Sequence, residues 1–463
     1  GQGLYSARSA VGYGGIGQEL VDEVAGLREW RTALGGGFEE RFLELPPEEL
    51  SCTMKGNQKY FPVTDERGGL LPYFITVSNI VSNDPQQVVA GNERVIRPRL
   101  SDAAFFWDQD RKRALTDRVD GLKAVVFQEK LGSLYDKAQR VSALAATIAE
   151  YINSDVQLVK HAALLGKCDL MTEMVGEFPE LQGIMGRYYA QADGEASEVA
   201  LALTEQYQPR FAGDALPASR TGQALAIADR LDTLVGIFGI GQLPTGDKDP
   251  YALRRAALGV LRIAIEGRLD LDLKALLETA AEAYGPLFDG PSVAAQVFEF
   301  MMERLRAYYV DAGIAPDEFE AVLSRQPARP LDFDSRLHAV AAFRALPQAE
   351  SLAAANKRIR NILRKTDEPL PEAIDRALLT DSAEKELASA LRQATATVTP
   401  LLDQGAYGDA LNQLAGLREV VDRFFEEVMV MTEDEVLRRN RLALLAALSG
   451  LFLRIADLSL LQN

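Results

Sequence analysis

Apolar residues along most of the chain recur at the spacing of a helix buried on one side. Leu134, Val141, Leu144, Ile148 and Ile152 follow one another at seven, three, four and four positions, which is one face of a 3.6-residue period. The pattern predicts further helices at Val156–Met174 and around Leu225–Phe238, the latter with Leu231, Leu234, Val235 and Phe238 as its inner stripe. Asp249 and Pro250 are start signals for another helix through Ala252–Leu258. From Phe333 onward the chain reads as almost entirely helical, ending in a seam of Leu444, Leu448, Leu451, Ile455 and Leu458. The alternating period of a strand stands out only early, in Lys59–Val63 and Tyr73–Val77, and the Asp65–Gly69 turn between them makes these a hairpin.

Three stretches break the periodicity. Asn79, Asp84-Pro85, Gly91-Asn92 and Arg97-Pro98-Arg99 read as a cation-bearing connecting loop, while Glu177–Tyr189 and Gln208–Asp214 read as glycine- and aromatic-rich loops of the kind that line clefts. Pro327 and Pro330 interrupt the helical pattern and mark a boundary. The expected architecture is mainly α and multi-domain, with segments 1–37, 38–110, 111–330 and 331–463; the first is glycine-rich and reads as flexible or truncated. Within it, Gly12-Tyr13-Gly14-Gly15-Ile16-Gly17 has neither the preceding strand nor the spacing of a nucleotide loop.

Charge narrows the function classes. The 463 residues carry a net charge of −17, which opposes indiscriminate binding to nucleic acid or membrane, so a polyanion must be met by local basic patches. Two cysteines, Cys52 and Cys168, lie far apart and outside metal-ligand spacing, and suit a reducing, cytoplasmic compartment. His161 and His338 are too few for a histidine-rich metal centre, and His161 reads as a packed side chain. The longest apolar run, Leu442–Leu453, is well short of the roughly 20 residues that cross a bilayer, and Gly-Gln-Gly does not open a secretory signal.

The patches are identifiable. Asn356–Lys365 packs five cations into ten residues without an acid, and Leu437-Arg438-Arg439-Asn440-Arg441-Leu442 adds three more. Lys357, Arg358, Arg360, Arg364, Arg438 and Arg441 are the candidate phosphate contacts, with Lys55, Arg97 and Arg99 as further candidates in the opening stretch. A plain solvated face offsetting the acids between Asp367 and Glu386 is the competing reading, and Arg254-Arg255 stands between the same two alternatives.

MKGNQKYFPV, FITVSNIVSNDPQQVVAGNERVIRPRLSDAAFF, KCDLMTEMVGEFPELQGIMGRYYA, EQYQPRFAGD, ADRLDTLVGIFGIGQLPTGDKDPYALRRAALGVLRI and LAAANKRIRNIL together resemble the β subunit of the bacterial heterotetrameric glycyl-tRNA synthetases, from about Phe38 to Asn463. The resemblance implies a C-terminal portion of such a subunit, lacking its N-terminal domains. It implies partnership with an α subunit in an α2β2 assembly and with tRNA(Gly). The α subunit would use ATP and Mg to make glycyl-adenylate, and this chain would bind no cofactor and hold no catalytic residue, serving glycine–tRNA ligation in the cytoplasm as the RNA-gripping subunit.

Two finer resemblances follow. Residues 111–330 are similar to the HD superfamily, whose metal-dependent phosphohydrolases hold a divalent ion with a His, a His-Asp pair and a distant Asp. The matching positions here are Lys137, then Gly166-Lys167 or Cys168-Asp169, then Asp229. A lysine in place of a ligand implies a degenerate site without metal, and an active phosphohydrolase is the alternative function. Residues 331–463 resemble the anticodon-binding helical bundle of class I synthetases, with Leu437–Leu445 matching its characteristic helix. A purely architectural helical subunit is a third reading, favoured by the acidic total.

Overall fold

A computed structural model describes residues 13–14, 32–79, 81–366, 370–371 and 373–461; most of the glycine-rich segment 1–37, including most of Gly12–Gly17, lies outside them. The architecture is mainly α, as the periodicity predicts. By contacts the chain forms two compact units, Gly1–Asp229 and Arg230–Asn463.

The first unit begins with a four-stranded antiparallel sheet, ordered Tyr13–Gly14, Phe61–Thr64, Leu70–Ser78, Thr32–Gly37. The expected hairpin is present, pairing Phe61 with Ile75 and Pro62 with Phe74. Its turn is held by Asp65 Oδ1, which accepts from the Arg67 and Gly69 amides at 2.8 Å. One face buries Phe61, Val63, Ile75 and Val77, and Tyr60 stacks on Phe74 at 4.5 Å. Gly36 is required on the neighbouring strand, because a Cβ there would lie 2.5 Å from the Phe74 ring.

The cation-bearing stretch after the hairpin is not a loop. It forms the helix Pro85–Asp110, started by Asp84, which accepts from the Gln87 amide, and by Pro85 in its first turn. Pro98 is tolerated within it on the exposed side. At its end Asp110 enters the helical body, where its carboxylate accepts from the amides of Glu173 and Met174 at 2.9 and 3.0 Å and from the Tyr189 hydroxyl at 2.8 Å. This stitching joins residues 38–110 and the helices that follow into one unit.

The helix Leu134–Tyr151 carries the expected stripe and is opened by a capping box between Ser133 and Asp136. The next helix is shorter than its pattern suggests: it covers Val156–Leu165, and a 3-10 turn follows at Cys168–Met171. Conversely, the predicted loop Glu177–Tyr189 contains the start of a helix, Ile184–Ala192. One carboxylate accounts for the second departure. Asp169 Oδ2 accepts from the Gly183 and Gly186 amides at 2.5 and 3.2 Å, satisfying donors at the start of Ile184–Ala192. Gln208–Asp214 is the expected loop, entered through a cis Gln208–Pro209 bond.

The division between units falls inside the helix Arg220–Gly239. In the second unit, Asp249 starts the helix Leu253–Glu266 by accepting from the Leu253 and Arg254 amides at 2.8 and 3.0 Å. The proline-marked stretch 325–330 separates helices without separating units. Tyr309 donates to Asp334 at 2.5 Å, Arg344 reaches Asp317 at 2.7 Å, and the Asp457 amide donates to the Ala321 carbonyl at 2.9 Å. The C-terminal helices are Pro330–Arg344, Ala349–Arg364, Ser382–Asp403, Tyr407–Ala415, Arg418–Glu427 and Glu435–Leu453. Among the described residues no helix is long and apolar enough to cross a membrane.

Candidate nucleic-acid interface

Of the positions matching the HD pattern, Lys137, Lys167 and Asp229 meet in the first unit, around ammonium groups. Lys137 is 4% exposed and its Nζ lies 3.2 Å from Asp229 Oδ1, while Lys167 Nζ lies 3.4 Å from Oδ2 of the same carboxylate. Lys137 also donates to the Asp229 carbonyl at 3.1 Å and sits over the Phe127 ring; Lys167 sits over Tyr207. Positive charge beside Asp229 is thus already supplied by side chains. Asp169 faces the glycine amides described above, and burial raises its carboxyl above the usual range. Burial beside Asp169 pushes the Cys168 thiol up to about 12, which keeps it protonated. His161 is half-buried on the surface, its Nε2 2.7 Å from Glu195, rather than packed in the core.

Among the described residues no group of three or more His, Cys, Asp or Glu side chains could hold a metal ion. The residues present do not fit a divalent metal, because a second cation beside Asp229 would be repelled by two ammonium groups a few ångströms away.

The C-terminal cations fall into two sets that the sequence does not distinguish. Along Ala349–Arg364, the buried side holds Leu352, Ala353, Ala355, Asn356 and Ile359. Lys357, Arg358, Arg360, Arg364 and Lys365 are exposed. Arg360 is engaged, its Nη1 lying 2.9 Å from Asp457 and donating to Ser459. The Arg358 guanidinium carbon sits over the Phe425 ring, 4.3 Å from its centroid. Lys357, Arg364 and Lys365 have no ion-pair partner among the described residues.

Of the described acids expected to offset this face, Glu386 pairs with Arg423 at 2.6 Å, Asp381 and Glu384 pair with Arg441, and Asp375 accepts from the Ala377 amide at 2.9 Å.

Arg441, by contrast, points inward, and Arg438 is half-buried. Arg441 is buried, with its guanidinium divided among Glu384, Asp381 at 2.8 Å and the Met429 carbonyl at 2.8 Å. Arg438 donates to the Thr432 carbonyl at 3.1 Å. Buried Asn440 exchanges hydrogen bonds with the Asp375 backbone at 2.8 and 2.9 Å. The Leu437–Leu442 motif therefore anchors main chain, and Arg441 is not available to an RNA phosphate. What it anchors matters, because Met429 and Thr432 flank Met431. That side chain and Ala354, Lys357, Arg358, Asn361, Ile362 and Lys365 line a groove of about 450 Å³.

In the opening stretch the candidate cations are not brought together. Lys55 is half-buried in a shallow groove with Cys52, Lys59 and Glu180, and Arg97 pairs with Glu39 at 3.0 Å. Arg99 is exposed and, two residues further along the helix, faces about 200° away from Arg97. Arg254 donates to the Gly246 carbonyl at 2.6 Å, so its guanidinium is partly used within the chain.

Phe425, Asn361 and Met431 carry no charge signal in the sequence; Asn361 lies within the cationic run itself, while only the packing of helices brings Phe425 and Met431 to it.

A helical bundle whose exposed cations Lys357, Arg364 and Lys365 lack carboxylate partners among the described residues, beside a partly apolar groove, suits a nucleic-acid-binding module. Residues 352–458 match the family described as "DALR anticodon binding domain". Residues 6–324 match the family described as "Glycyl-tRNA synthetase beta subunit". The chain is 55% identical to the glycine–tRNA ligase beta subunit of Marinobacter nauticus over 100% of its own length and 67% of the relative's. It is 54% identical to that of Pectobacterium atrosepticum, covering 99% of itself and 66% of the relative. For Chromohalobacter salexigens the figures are 57%, 97% and 65%. The chain belongs to the glycyl-tRNA synthetase beta subunit family, and it spans about two thirds of the length of these curated relatives.

Proposed function

We propose that this chain is the RNA-gripping part of a glycine–tRNA ligase. It holds tRNA(Gly) through its C-terminal bundle, while an α subunit, in an α2β2 assembly, uses ATP and Mg to activate glycine. The carrying observation is the face of Ala349–Arg364: Lys357, Arg358, Arg364 and Lys365 are exposed cations in an acidic chain, without a neutralising carboxylate among the described residues. A phosphate backbone is the partner that such a local patch attracts against an unfavourable net charge, and unpaired anticodon nucleotides suit a groove with both apolar and hydrogen-bonding walls.

The chain itself supplies no catalytic group and binds no cofactor. In the centre, Lys137 and Lys167 take the electrostatic place of a metal beside Asp229, which leaves the phosphohydrolase alternative without the ion that would activate its water. Both cysteines are free, which supports work in the reducing cytoplasm.

The test is the triple charge reversal Lys357→Glu, Arg358→Glu and Arg364→Glu in the full-length β chain reconstituted with its α subunit. Arg360 is left intact because its pairing with Asp457 is structural. Binding of tRNA(Gly) should weaken, and its salt slope should flatten by about 0.7–0.9 for each phosphate no longer neutralised. Glycine-dependent ATP–pyrophosphate exchange should be unchanged. Unaltered affinity and slope would overturn the assignment of this face.

A further inference from the structure

We propose that the groove between the helix Ala349–Arg364 and the segment carrying Met431 receives one unpaired base of the RNA, with Asn361 reading its edge and Met431 covering its face. This rests on the reading of the bundle as the tRNA-binding part, and goes beyond it by separating residues that read a base from residues that hold phosphates.

The groove has two chemical zones. Lys357, Arg358 and Lys365 supply cations, and no carboxylate is among the lining residues. Ala354, Ile362 and Met431 supply an apolar surface, with Met431 56% exposed. An exposed apolar side chain facing a wall of cations suits a ligand that is flat and apolar on its face and anionic at its periphery, as a nucleotide is. The groove's volume of about 450 Å³ is within the range of small-ligand pockets, about 300–1,000 Å³. An extended duplex would meet only the rim.

Asn361 is the group that can discriminate. Its carboxamide offers two donors and an acceptor, and among the described residues it has no hydrogen-bond partner. Residues 354, 358, 361 and 365 follow the i, i+4, i+7, i+11 spacing of one helix stripe, which puts Asn361 between Arg358 and Lys365. Phosphates on either side of an inserted base would face those cations. Asparagine can pair a donor and an acceptor with one base edge, as with adenine N6 and N7, whereas the neighbouring lysines offer donors only.

The opposite wall is built to keep its place. Arg441 and Arg438 hold the carbonyls of Met429 and Thr432, on either side of Met431. Arg358 is steadied by the Phe425 ring. The inserted base therefore meets a ledge fixed from behind.

The experiment uses the reconstituted α and full-length β subunits, a tRNA(Gly) transcript, and transcripts with each anticodon base replaced in turn. Asn361→Ala should reduce discrimination against one anticodon substitution by about tenfold or more while leaving the salt slope unchanged. Met431→Ala should lower affinity for all transcripts by about tenfold, since the apolar surface that covers the base is lost. Arg364→Ala should weaken every transcript alike and reduce the slope. Asn361 and Met431 lie at the surface, so these variants should unfold at the wild-type midpoint, which is checked alongside. Full discrimination and affinity in Asn361→Ala and Met431→Ala, with Arg364→Ala still weakened, would overturn the base site and leave the RNA-binding reading standing. Indifference of all three variants would remove both.

Discussion

Arg441 donates to the main-chain carbonyl of Met429 at 2.8 Å, so a cation that the sequence presents as an RNA contact instead shapes the wall of a groove. Its other donors meet Glu384, which is 0% exposed, and Asp381, which is 50% exposed. Replacing Arg441 by Met strands a fully buried carboxylate, at a cost of about 3–5 kcal/mol. Asp381→Asn removes only the half-exposed partner and should stay within about 1 kcal/mol. Urea unfolding of both variants checks this, and equal losses would contradict it.

Asp229 holds two lysines in the first unit, with Lys137 4% and Lys167 12% exposed. Asp229→Asn should cost about 3–5 kcal/mol, since it leaves two ammonium groups facing each other at low exposure. Added manganese should not restore the loss, and dialysis of the wild-type protein against a chelator should leave its unfolding midpoint where it was. A fall in that midpoint on chelation would place a structural metal in the protein.

Glu49 is wholly buried; its Oε1 accepts from the Thr53 hydroxyl at 2.6 Å, and its Oε2 has no hydrogen-bond partner among the described residues. Burial raises its carboxyl from the ordinary 4.5 to about 7. The fold accommodates the neutral form, so the associated stability is complete below about pH 4.5 and is lost as the pH rises through about 7. At about 1.36 kcal/mol per unit of pKa difference the loss is on the order of 3 kcal/mol. Glu49→Gln stays neutral throughout. The difference in unfolding midpoint between this variant and wild type should therefore grow in the variant's favour from pH 4.5 to pH 8, and a constant difference would show that Glu49 ionises normally.

Gly183 has φ +79°, and a Cβ there would meet the Tyr207 ring at 2.5 Å and the Leu203 carbonyl at 2.8 Å. Gly183→Ala should cost roughly 1–3 kcal/mol from backbone strain alone, and more from the clash, because the same residue's amide is held by Asp169. Gly194→Ala is the control: φ is +81° but nothing lies within 4 Å of the added carbon, so it reports strain without a clash. Thermal unfolding should place Gly183→Ala clearly below this control, and equal midpoints would mean that Tyr207 moves aside freely.

Much of the fold was legible along the chain. The hairpin, the helix Leu134–Tyr151, the loop after Gln208 and the all-helical C-terminus follow from local periodicity and turn chemistry, which act over a few residues and leave a pattern there. The helix Pro85–Asp110 was obscured because Asn, Gly and Pro residues that signal a break locally are accommodated by packing on its buried side, against Ile96, Leu100 and Ala103. Asp169 was recognisable as a candidate acid, but its work of starting the helix Ile184–Ala192 depends on residues fourteen and seventeen positions away.

The sequence by itself determined the helical class, the hairpin, the family signature and the places where cations concentrate, because each is carried by contiguous residues. Only the tertiary structure decided which cations remain at the surface. Arg441 meets Glu384 in the interior, while Lys357 and Arg364 meet no carboxylate among the described residues. Burial and pairing belong to the packed helices, and a charged residue reads the same in sequence whether its partner is a distant carboxylate or a phosphate.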